Sequence, residues 1–137
     1  MNPCLWLLIV LSLGIEPPAT APRANREIPQ APQRLQPKTA EELVSITSRG
    51  IYVHGDIERE GARSSDRGEV FLPDGTYIQR QDRAEVYGSY ELIGNALCVT
   101  SPGVDRGCRL IATDIDGGLF FVGVRGAWPI VISDYVP

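Results

Sequence analysis

The chain of 137 residues holds one histidine, one lysine, one methionine and three cysteines, and each scarcity closes off a class of chemistry. A zinc site needs four ligands drawn mainly from His and Cys, and His54 with two paired cysteines cannot supply them. No G-x-S-x-G sequence is present, and no glycine-rich phosphate loop, so neither a nucleophile-elbow hydrolase nor a P-loop enzyme is indicated. Thirteen basic residues, twelve of them Arg, stand against seventeen acidic ones for a net charge of −4, with the two signs interspersed. That balance lacks the basic stripe expected of a nucleic-acid binder. No apolar run approaches the twenty or so residues that span a bilayer as a helix.

The longest apolar run, Leu5 to Ile15, has eleven residues, the length of a secretory signal core. Ala19-Thr20-Ala21 has the small-x-small form of a cleavage site, although Pro22 follows it and Met1 to Cys4 lacks the usual basic residues. Residues 1–21 are read as a signal peptide or N-terminal anchor. Any membrane attachment would then run through that segment uncleaved. Cys4 precedes the apolar run rather than following it, which argues against a lipoprotein. From Glu16 to Lys38 there are six prolines and few large apolar residues, a composition that cannot offset the entropy of ordering. Residues 22–38 are expected to be a disordered linker, and residues 39–137 a single domain.

Thr39-Ala40-Glu41-Glu42 is a capping-box sequence, Leu43, Val44 and Ile46 form a short apolar stripe, and Gly50 suits a helix end. A helix is expected over about 39–48. Beyond it the period changes to two. Ile51, Val53 and Ile57 share one face, with Tyr52, His54 and Asp56 opposite. Val86, Gly88, Tyr90 and Leu92 share another face. Asp74-Gly75, Gly94-Asn95 and Asp116-Gly117-Gly118 are turn signals between further extended segments. These features predict an α+β, mostly β fold: one short N-terminal helix, then an antiparallel meander of seven to eight strands forming an open roll or small barrel.

Cys98 and Cys108 fall on successive predicted strands around a Pro102-Gly103 turn, ten positions apart. An exported chain that loses its leader keeps these two, and an even count in an oxidising compartment predicts a structural disulfide. A redox pair would favour the closer C-x-x-C spacing. His54 sits on a predicted outward face, where a solvated imidazole is the simplest reading, although a general base is conceivable. Asp114 to Gly118 resembles the start of a calcium loop but runs directly into a strand, so a hairpin turn explains it better. Glu58 and Glu60 lie in a charged stretch, Glu58 to Glu69, that reads as a mobile loop and promises no raised carboxyl pKa. No catalytic residue, metal ligand or cofactor is nominated. Tyr77, Tyr87, Tyr90, Phe120, Phe121 and Trp128 are read first as core, with a ligand cavity as the alternative.

Phe71-Leu72-Pro73-Asp74-Gly75-Thr76-Tyr77, then Gly88-Ser89-Tyr90, then Leu97-Cys98 and Cys108-Arg109 occur in an order that resembles a family of small exported bacterial proteins of unknown function. In that family a short helix leads into strands with an F-x-P-D-G-T-like turn, a G-x-W or G-x-Y strand and a disulfide-linked cysteine pair. Tyr90 stands here where tryptophan is common. The resemblance implies a periplasmic β-rich domain and brings no catalytic residues. The leading expectation is a non-enzymatic periplasmic or secreted module that binds a protein or envelope component through its sheet face or loops. The alternative is a carrier of a small apolar ligand in an aromatic-lined barrel cavity.

Overall fold

The computed structural model describes residues 26–56 and 67–137. The elements in chain order are β1 (Gln36–Pro37), α1 (Ala40–Thr47), β2 (Ile51–Gly55), β3 (Arg67–Phe71), β4 (Thr76–Gln81), β5 (Ala84–Ile93), β6 (Ala96–Ser101), β7 (Val104–Thr113), β8 (Leu119–Gly123) and β9 (Gly126–Asp134). Each strand from β2 to β9 pairs antiparallel with its sequence neighbour, and β9 returns to pair with β2. The result is a closed eight-stranded up-and-down barrel, the closed form of the expected meander. Closure removes the exposed edges that an open sheet must otherwise protect.

Local chemistry sets the turns. The Asp74 carboxylate accepts from the Thr76 amide at 2.9 Å, and Gly75 adopts φ +90°. That conformation costs a side-chain-bearing residue and costs glycine little. Asp114 Oδ1 accepts from the amides of Asp116 and Gly118 at 3.1 and 2.7 Å, which makes this segment a hairpin turn. The helix begins with a complete capping box: the Thr39 hydroxyl accepts from the Glu42 amide, and the Glu42 carboxylate accepts from the Thr39 amide, each at 3.1 Å. Its buried Leu43 joins Ile51, Val53, Phe71, Tyr77, Leu97, Val99, Ile111, Phe121 and Ile130 in one interior cluster. The helix therefore closes the barrel end at which β2 starts and β3 finishes.

Two expectations are corrected. The linker 22–38 was to end where structure begins, at Thr39; in the structure the fold starts earlier. Leu35 is buried, and Gln36 and Pro37 pair with Thr113 and Ala112 of β7. The reason is local: β6 covers β7 through Arg109, and β1 takes over the same edge beyond it. Leu35, with Ala31, then covers a second apolar cluster on the outer face, formed by Ala96, Cys98, Cys108, Leu110, Ala112, Phe120 and Val122. Leu35 is joined by the buried Pro29, by Arg34 over the Phe120 ring and by the β1 pairing, and together these hold an otherwise proline-rich segment on the barrel. The second correction concerns the charged stretch read as a mobile loop. Its last three residues, Arg67 to Glu69, belong to β3, and Glu69 points into the barrel. Glu58 and Glu60 lie outside the described residues.

Cys98 and Cys108 are directly opposite in the β6–β7 register and form a disulfide, with α-carbons 4.0 Å apart. Both are buried in the outer-face cluster beneath Leu35. Among the described residues no helix is long and apolar enough to cross a membrane.

Candidate functional site

Alternation along β3 and β4 sends Phe71, Glu69 and Arg67 inward on one strand and Tyr77, Gln79 and Gln81 inward on the next. The pairs Phe71–Tyr77, Glu69–Gln79 and Arg67–Gln81 are in direct register. The inward row is thus apolar at the helix end and polar toward the opposite end. Burying polar side chains inside a small barrel is costly unless they find partners. Glu69 does. Its carboxylate accepts from Arg109 Nη1 at 2.8 Å and Nη2 at 2.5 Å, and from the Tyr77 hydroxyl at 2.5 Å.

Arg109 is 3 % exposed, and its guanidinium lies over the Phe121 ring at 4.2 Å. Burial works against its charge, but the adjacent Glu69 carboxylate and the Tyr77 hydroxyl outweigh it and hold the pKa above the ordinary arginine value. Paired charges of this kind add little net stability over apolar packing, yet breaking one leaves an uncompensated charge. The arrangement fixes where Glu69 and Tyr77 sit. Gln79, 7 % exposed, makes no side-chain hydrogen bond among the described residues.

Beyond this network, at the end away from the helix, the interior is not filled. A cavity of about 130 Å³ opens there between Val53, Glu69, Gln79, Phe121, Trp128 and Ile130, with His54, Arg67, Arg80 and Gln81 around its mouth. The Trp128 indole lies across Gly123, where a Cβ would meet its ring at 3.3 Å. A side chain at position 123 would therefore require the indole to shift by a few tenths of an ångström. A cavity of roughly this volume, about 150 Å³, accommodates a benzene-sized molecule.

His54 follows the outward phase of β2, as expected, but it is half-buried. Its Nδ1 is 2.9 Å from the Gly55 carbonyl oxygen, and its ring is 5.5 Å from that of Tyr52. A backbone carbonyl in this position can fix the tautomer of an imidazole, and no carboxylate or hydroxyl is hydrogen-bonded to the ring among the described residues. The aromatic residues divide. Tyr77 and Phe121 are interior core, Phe120 belongs to the outer cluster, and Trp128 lines the cavity. Tyr90 is half-buried and donates to the Leu72 carbonyl at 2.6 Å, while Tyr87 is 59 % exposed. Tyr87 belongs to an outer-face group in which the Arg80 guanidinium sits 5.8 Å from the Tyr52 ring and 5.3 Å from the Tyr135 ring. Glu85 ties it together, accepting from both Arg80 and Tyr87. At the helix end, an open groove of about 500 Å³ runs between Val44, Thr47, Pro73, Tyr90 and Leu92.

Glu69, Gln79 and Arg109 were missed in the sequence. The signal was the phase: Glu69 lies two positions before Phe71 and Gln79 two after Tyr77, so each shares a face with an aromatic residue that must be buried.

No family model matches the chain, and no match is found among curated proteins or solved structures. The resemblance to small exported bacterial proteins therefore rests on the order of its motifs. What the structure itself defines is a small disulfide-bonded barrel, capped by a helix at one end and open at the other to a cavity lined by both apolar and polar side chains.

Proposed function

We propose that this protein is an exported, non-enzymatic binding module that takes a small organic molecule into the open end of its barrel. The observation that carries this reading is the cavity among Val53, Phe121, Trp128 and Ile130, into which Glu69 and Gln79 converge. An apolar wall with a few placed polar groups is the usual composition of a ligand site. The volume suits an occupant no larger than about one six-membered ring inside the barrel. Export is supported by the Cys98–Cys108 bridge, which fits an oxidising compartment, and by the apolar run from Leu5 to Ile15. The test is a ligand-observed NMR screen of ring-sized fragments against the protein and against Val53→Phe, which fills the cavity. The reading expects hits that the substitution abolishes while the melting transition stays cooperative. Hits indifferent to the substitution, or none, would count against it.

A second reading, recognition of a protein or envelope component on the sheet face, draws support from the Tyr52, Tyr87, Tyr135 and Arg80 group. Tyr and Arg dominate interface hot spots, and here they are already held in place by hydrogen bonds and ring contacts. Tyr87→Ala should weaken capture of such a partner from an envelope extract and leave fragment binding unchanged.

A further inference from the structure

Resting on the ligand-binding reading, we infer that the cavity selects a small organic monoanion, a flat monocarboxylate whose ring enters the barrel and whose carboxylate stays at the mouth. The argument begins with the charges that line the site. Among the described residues Glu69 is its one interior carboxylate, and two guanidinium N–H groups and a phenol already donate to it. Its charge is matched by Arg109, and three of its acceptor positions are taken. An incoming cation would have to compete with a buried guanidinium held in bidentate geometry, which is a poor exchange.

Among the described residues, the remaining charged groups at the cavity are Arg80 and Arg67. Arg80 donates to Glu85 at 3.1 Å and lies between two tyrosine rings, so it is committed to the outer face. Arg67 is different. It occupies the inward phase of β3, two residues nearer the mouth than Glu69 and opposite Gln81, and makes no ion pair among the described residues. A guanidinium at the rim, above the Gln79 carboxamide and beside Gln81, offers planar N–H donors to a carboxylate. The apolar part of such a ligand meets Phe121, Trp128, Val53 and Ile130. The chain as a whole is acidic, so this preference is a property of the site and not of general attraction.

The test uses three probes of nearly equal shape: benzoate, benzamide and benzamidinium, each titrated into the oxidised full-length protein and followed by the Trp128 indole N–H resonance. Benzoate should bind about tenfold more tightly than benzamide, the scale of a charge-assisted contact at a partly open site. Arg67→Gln should remove most of that advantage, and Arg67→Lys should keep part of it. Arg67 is exposed, so neither substitution threatens the fold. Equal binding of benzoate and benzamide, or preference for benzamidinium, would overturn the anion assignment while leaving the cavity as a binding site. Failure of all three to shift the Trp128 resonance would overturn the ligand-binding reading as well.

Discussion

Glu69 on β3 and Arg109 on β7 come from opposite walls of the barrel and meet in its interior through two hydrogen bonds. Three strands separate β3 from β7 in either direction around the closed sheet. The pair is therefore a strut across the barrel rather than a contact between neighbours. Glu69→Gln or Arg109→Met should each destabilise the protein by about 3–5 kcal/mol, because each leaves an unmatched polar group in the interior. The double substitution should cost clearly less than the sum, with a coupling of at least about 1.5 kcal/mol in denaturant unfolding. Strict additivity would mean that the two groups do not meet.

The disulfide lies under Leu35 and joins directly opposed positions, so it should resist reduction until the outer cluster opens. In a Cys4→Ser chain, thiol labelling should find no free thiol in the native oxidised protein and two after denaturation with reductant. Replacing both Cys98 and Cys108 by Ala should cost roughly 2–3 kcal/mol by the loop-entropy account for a short closed loop. Rapid native-state reduction by mild thiol would contradict the covered position.

Acid and alkali should act at different places near the helix end. The Thr39 amide above all holds the Glu42 carboxyl below its ordinary value of 4.5; burial opposes it, and Lys38 and the Thr39 hydroxyl add smaller lowering effects. The Thr76 amide likewise holds Asp74 below 3.8. Depressed carboxyl values mean a stabilisation that is complete above the unfolded-chain values and lost as pH falls through the folded ones. Tyr90 is shifted the other way, upward, by burial, and its hydroxyl donates to the Leu72 carbonyl. Its contribution is complete below the unfolded phenol value and disappears as pH rises through the folded one. The Tyr87 phenol is raised too, by its hydrogen bond to the Glu85 carboxylate. Carboxyl-carbon NMR should place Glu42 and Asp74 below their free-peptide midpoints, and tyrosinate absorbance should show late-titrating phenols of which Tyr90→Phe removes one and Tyr87→Phe another.

Two glycines distinguish backbone from side-chain crowding. A Cβ at Gly88 would lie 2.5 Å from the Thr100 carbonyl oxygen, which belongs to the neighbouring strand and cannot step aside. A Cβ at Gly68 would meet the Tyr52 ring at 2.3 Å, and the far end of a side chain, although it would give up ring contacts with Arg80 and His54, can shift where a backbone carbonyl cannot. Gly88→Ala should therefore cost about 2–3 kcal/mol, and Gly68→Ala no more than about 1–2 kcal/mol. Thermal or denaturant unfolding of the two variants compares them directly.

The parts of this fold that were legible in the sequence are those decided by residues close together in the chain. The Thr39–Glu42 capping box, the Asp74-Gly75 and Asp114 to Gly118 turns and the Cys98–Cys108 hairpin are each settled within a dozen residues or so. Leu35 was hidden by its proline-rich surroundings, because its burial depends on a patch on β7 and β8 that composition does not show. Glu69 was hidden by the charged residues before it, since its partner Arg109 lies forty positions away. The cavity was hidden for the same reason: it exists only once β9 has closed on β2 and brought Trp128 and Phe121 to face Gln79.

The most direct check on the whole account is where ligand-induced shifts fall. A methyl and indole NMR titration of the oxidised protein with benzoate should perturb Val53, Ile130 and Trp128 at the open end, leaving Val44 and Leu92 beside the helix unchanged. Shifts confined to the Val44–Leu92 groove would place recognition at the wrong end of the barrel and contradict the assignment.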